Sequence, residues 1–162
     1  MLCGFRDNRR MALIELFGVR MPLFAAEILI GESIIGAVLV ASVLMAWKHH
    51  GGRHHWMMLS AFLADELLIK PIMYSRIVTG LFGPFPYSHT LGLPHFALAT
   101  AAGVLGVVAI VLGFRYRIKS KTDRRMFMGA KGRIHRWFGA SYVAVWFIAF
   151  VYGLMIFHLF YR

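Results

Sequence analysis

The sequence predicts an all-α fold, an integral-membrane four-helix bundle with up-down topology, and three observations carry that expectation. The chain of 162 residues is 59% hydrophobic and 15% charged, whereas soluble domains carry charge at about a quarter of their positions. Lipid is therefore its solvent. Four apolar stretches, 22–47, 56–81, 91–114 and 137–161, reach the length of about 20 residues that a helix needs to cross hydrocarbon. The links between them are short except for one, which is strongly basic.

Taken in order, residues 1–21 form a polar, amphipathic N-terminal segment, and 22–162 form the four-helix transmembrane domain. Met1 to Arg10 is polar and basic, with no short apolar core and small-residue cleavage site after it, so helix 1 is expected to stay in the mature protein. Helix 1 carries Glu27 and Glu32. Helix 2 follows the tract His49-His50-Gly51-Gly52-Arg53-His54-His55 and carries Asp65, Glu66 and Lys70. That tract resembles histidine-rich metal-binding runs, but it lacks a fixed ligand spacing, and a solvated loop is its ordinary reading. The segment from Gly80 to His89 is rich in Gly, Pro and aromatic residues, which break helices and seat rings at the headgroup level. Helix 3 opens on Pro94, a residue suited to a first helical turn, and then His95. Helix 4 begins beside His135 and returns to His158.

Charge sets the orientation. Between Arg115 and Arg136 the chain holds Arg117, Lys119, Lys121, Arg124, Arg125, Lys131 and Arg133 against Asp123 alone, and short basic loops stay cytoplasmic. The 115–136 loop is thus expected inside, with the loop from Lys48 to Arg53. Both termini and the Gly80 to Thr90 loop are then outside, against the weaker pull of Arg6, Arg9 and Arg10. A prokaryotic plasma membrane is the expected location. The net charge of +11 sits at membrane edges without a nucleic-acid motif, so anionic headgroups, not nucleic acid, are the expected partner. The single Cys3 excludes an internal disulfide and a cysteine-rich metal site.

The histidines are the candidate ligands. An imidazole at the edge of a membrane helix is a ready axial ligand for haem iron or a ligand for copper. On the expected topology His54 or His55 lies at the depth of His135, and two such rings can clamp a haem b. His54 and His55 differ by about 100° around the axis, and composition alone does not choose between them. His95 lies above Ala99, Ala102, Gly103, Gly106 and Gly113, a smooth face that admits a flat cofactor or, more commonly, a neighbouring helix. His158 is an outer candidate, but at about 100° per residue it lies roughly 140° around helix 4 from His135.

The acids form a second constellation, since charges at membrane depth normally face the interior, paired or functional. Glu66 and Lys70 stand at the spacing of a helical ion pair. Competing readings are a proton relay, for example to a quinone, and a carboxylate and histidine metal site of Glu27, Glu32, Glu66 and His95.

From about Arg53 to Tyr161 the residues resemble a known family. His54 to Phe62, Leu91-Gly-Leu-Pro-His95 with Ala97 and Leu98, and His135-Arg136 with Trp146, Gly153 and Phe160-Tyr161 are similar to segments of the small four-helix membrane proteins called domain of unknown function 420. Those proteins are linked to maturation of haem-copper terminal oxidases. The resemblance implies that His54, His95 and His135 are the recurring histidines, and it favours His54 over His55. Asp65, Glu66, Lys70 and Tyr152 depart from the family pattern, as in a divergent member serving as a resident subunit.

The expected function is therefore that of a multi-pass respiratory-chain protein binding haem b through His54 and His135. His95 would hold an outer cofactor or meet a quinone. It would transfer electrons to or from quinone or a terminal oxidase, without catalytic residues of its own. An accessory or assembly subunit of a haem-copper oxidase, packed against other membrane subunits and handling haem or copper, is the alternative. The carboxylate and histidine metal site is the third.

Overall fold

The computed structural model describes residues 13–16, 19–78, 92–119, 126–128 and 132–161. Cys3, Arg6, Arg9, Arg10 and the Gly80 to Thr90 loop lie outside the described residues. Helices dominate. α1 spans Leu23–Trp47, α2 Gly51–Ala64, α3 Lys70–Val78, α4 Gly92–Tyr116 and α5 Gly132–Tyr161. Three of them are long and apolar enough to cross a membrane, over Leu23–Trp47, Gly92–Tyr116 and Gly132–Leu159.

Two features depart from the expected all-α, four-span pattern. The first is a pair of small antiparallel hairpins. β1 (Leu13–Leu16) pairs with β2 (Val19–Pro22), and β3 (Arg117–Lys119) pairs with β4 (Met126–Met128). The first hairpin occupies part of the segment read as amphipathic, and it ends at Pro22, which has no N–H to extend a ladder. The second folds part of the basic link back on itself.

The other departure lies in the second apolar stretch, 56–81. Helix starts early at Gly51, and between α2 and α3 the backbone widens into a π-helical turn, Asp65–Ile69. A π turn closes i to i+5 hydrogen bonds, and the Lys70 N–H accordingly donates to the Asp65 carbonyl. The turn coincides with the charged residues of this stretch. Hydrophobicity alone cannot register such a change of pitch.

α1 ends in a tight reversal. The His50 N–H donates to the Met45 carbonyl at 2.9 Å and the His49 N–H to that of Ala46 at 3.0 Å, the paired bonds of a Schellman motif. Its left-handed position is filled by His49 at φ 59°, where glycine is usual. This link, Lys48 to His50, is exposed, and α2 begins immediately after it.

α4 lies along α5, and α1 along α2, in the two most extensive helix contacts. The main core joins all four of these helices through Leu39, Phe62, Ala102, Tyr142 and Trp146. Phe62 and Tyr142 meet edge to face at 6.1 Å, a favoured aromatic geometry. They are close because α4 carries Gly106 there: a Cβ at that position would come within 2.7 Å of the Phe62 ring. A smaller cluster around Ala25 and Ala26 closes against Phe157. It joins the beginning of α1 to the end of α5.

Candidate metal centre

At the end of the helices near the Lys48 to His50 link, three imidazoles converge. His54 and His55 come from the first turns of α2, and His135 from the first turn of α5. One ring nitrogen from each lies within 4.8 Å of the others. Among the described residues no other group of three metal-ligating side chains comes together in this way. Ring centroids are 5.3 Å apart for His54 and His55, 5.5 Å for His55 and His135, and 6.3 Å for His54 and His135. Because helix already starts at Gly51 and Gly132, these histidines are held on ordered turns rather than in loops.

Two of the rings are braced from behind. The Nδ1 of His135 lies 2.9 Å from the Ala109 carbonyl of α4, so that nitrogen carries the proton and Nε2 keeps its lone pair. His54 Nδ1 lies 3.0 Å from the carbonyl of Ser42 on α1, and the Ser42 hydroxyl donates to the His54 carbonyl at 3.2 Å. That reciprocal pair again leaves Nε2 as the donor atom. Ser42 is completely buried and His135 is 9% exposed. Metal-ligating histidines characteristically donate their second ring N–H to a carbonyl or carboxylate, which sets tautomer and aim. Gly113 of α4 makes room for the cluster, since a Cβ there would stand 3.0 Å from His135 and 3.1 Å from His55.

The other candidates are placed elsewhere. His95 lies toward the opposite end, stacked on Tyr152 at 6.3 Å with its ring plane 13° from parallel, and packed beside Gly153. His158 is exposed near the end of α5, and Glu27 is exposed on α1. Glu32, Glu66 and His95 border one cavity, but Glu66 is paired with Lys70, and the proposed set of Glu27, Glu32, Glu66 and His95 does not converge to ligand spacing. The small-residue face of α4 serves helix and ring packing: Gly106 admits Phe62, and Gly113 lies under His55 and His135.

Ser42 and Ala109 escaped the sequence reading. Ser42 had a signal, being a lone polar residue in the apolar second half of helix 1. Ala109 had none, because it contributes only its carbonyl. No protein-family model, curated protein or solved structure matches this chain.

Proposed function

We propose that this chain is a multi-pass membrane protein that holds a single copper ion through His54, His55 and His135 and serves a respiratory chain as an electron-transfer or accessory subunit. The observation that carries this reading is the convergence of three imidazoles, two of them braced by backbone carbonyls. Neutral imidazole suits copper and zinc alike. Metal–nitrogen bonds of about 2.0–2.1 Å would draw the three rings together by side-chain rotation, with a further coordination position open. Electron transfer requires the redox-active ion of the two, and the resemblance over Arg53 to Tyr161 supports the respiratory setting.

The donor set fits a bare ion better than haem b. A macrocycle clamped between His54 and His135 needs the space between their rings free, whereas His55 stands 5.3 and 5.5 Å from them. The helices would form an up-down bundle, with the continuous run from Gly51 to Val78 as the fourth crossing. The histidine end would face the cytoplasm of a prokaryotic cell.

Elemental analysis and absorption spectroscopy of protein purified from copper- and haem-replete cells test the assignment. The expected result is about one copper per chain, lost in His135→Ala and His54→Ala variants that keep their helical circular dichroism, because removing one of three ligands opens the site. Bound zinc without copper would recast the chain as a redox-silent accessory subunit. Haem bands that disappear in His135→Ala would favour the haem reading. Metal-free, colourless protein would sink the whole proposal.

A further inference from the structure

Away from the metal centre, α1, α2, the π turn, α3, α4 and α5 enclose a cavity of about 460 Å³, within the range of about 300–1,000 Å³ typical of small-molecule sites. Its walls are largely apolar and include the rings of Phe62, Trp146 and Phe150. Polar groups gather on it from four helical elements: Glu32 from α1, Asp65 and Glu66 from the π turn, Lys70 from α3, and His95 from α4.

The cation among them is already committed. Lys70 pairs with Glu66, stands 3.3 Å from the Asp65 carboxylate and donates to the Ala99 carbonyl at 3.3 Å. What remains is a surplus of acceptors. Asp65 is 2% exposed and its Oδ2 makes no hydrogen bond beyond that contact with Lys70, while neither the buried Nδ1 of His95 nor the buried Tyr142 hydroxyl makes any. The other nitrogen of the His95 ring faces the Ala149 carbonyl and carries the proton, which leaves Nδ1 as a lone-pair acceptor. A buried acceptor left without a donor is unfavourable. A ligand that brings hydroxyl donors into the cavity would give His95 Nδ1 a partner and add a donor to the Asp65 carboxylate.

The way in is from the side. Tyr74, Phe96 and Val104 line the cavity and are 65%, 62% and 60% exposed, which sets the mouth between α3 and α4. Val104 lies near the middle of α4, a helix long and apolar enough to span a bilayer. A mouth at that height opens onto acyl chains, so the ligand must be lipid-soluble. Aromatic walls, two separate acceptors and a lateral entrance together describe a flat ring with two hydroxyls and an apolar tail.

We propose that this cavity binds a lipid-soluble hydroquinone in preference to its oxidised quinone, with the ring hydroxyls donating to Asp65 and His95. Oxidation removes both donors and leaves carbonyls facing acceptors. The site is independent of the metal centre, and either assignment can fail without the other.

Calorimetric titration of the detergent-purified full chain under anaerobic reducing conditions, with decylubiquinol as probe, tests the proposal against decylubiquinone and cholesterol. The expected result is that the quinol binds at least about tenfold more tightly than either, as the loss of hydrogen bonds to charged or buried acceptors predicts. Val104→Trp, at the exposed mouth where the fold is indifferent to it, should abolish binding. His95→Phe, which keeps a ring beside Gly153, should narrow the preference for the quinol over the quinone, leaving the part carried by Asp65. Equal binding of the two redox forms, equal binding of cholesterol, or undiminished binding by Val104→Trp would overturn it.

Discussion

Ser42 is the residue whose role is least visible from its chemistry and clearest from its surroundings. It is fully buried in α1, and both its hydroxyl and its carbonyl lie 3.0 Å from His54 Nδ1, on the back of the ring from Nε2. Loss of a group that orients a ligand typically lowers metal affinity by about 10–100-fold. Ser42→Ala keeps the carbonyl contact but loses the hydroxyl half of the brace, so the expected effect is at the lower end, roughly tenfold, in competition titrations with a copper chelator. An unchanged affinity would mean that the Ser42 carbonyl alone aims the ring. Neighbouring residues show how much depends on position. His54 and His55 are adjacent, and their separation of about 100° around the helix argued for one ligand between them. In the structure both rings reach His135, because they flank the face of α2 that points at it.

At the scale of elements, two close approaches give measurable expectations. The reversal after α1 places His49 at φ 59°, a conformation that costs a side-chain-bearing residue roughly 1–2 kcal/mol relative to one without a Cβ. His49→Gly should therefore raise stability by about 1 kcal/mol, read as a higher midpoint in thermal unfolding in detergent. It is exposed and outside the ligand triad, so metal content should not change. Gly106 makes the opposite case. With the Phe62 ring 2.7 Å and the Tyr142 ring 3.2 Å from where a Cβ would stand, Gly106→Leu should separate α4 from α2 and α5. Overpacking of this kind costs about 1–3 kcal/mol, and the same unfolding assay would register it. The π turn belongs to this scale too. At about 100° per residue an ordinary helix would carry Lys70 roughly 140° away from Asp65; the wider turn returns it to the same side, where it stands near Asp65 as well as Glu66.

For the whole molecule, the ends of the helices are sorted. The Lys48 to His50 link, the start of α5 and the end of α4 meet at the histidine cluster, and β4 contacts α2 at that end. The N-terminal hairpin instead contacts α1 and α5. If the basic 115–136 segment is cytoplasmic, the exposed position 48 must be cytoplasmic with it. In a Cys3→Ser background, Lys48→Cys should resist a membrane-impermeant thiol reagent in intact cells and react in inverted vesicles. Labelling from outside would reverse the orientation. The membrane character, the three helices long and apolar enough to cross a bilayer, the Glu66 and Lys70 pair, and the short list of histidines were all legible in the sequence, because hydrophobicity, charge and helical spacing are local properties written along the chain. Which histidines meet, that Ser42 and Ala109 brace them, that Gly113 gives them room, and that Asp65 and His95 share a cavity were decided only by the tertiary structure. Those relations depend on how far each helix is rotated and displaced against its neighbours, and that is fixed by the packing of Phe62, Tyr142 and Trp146 across helices far apart in sequence.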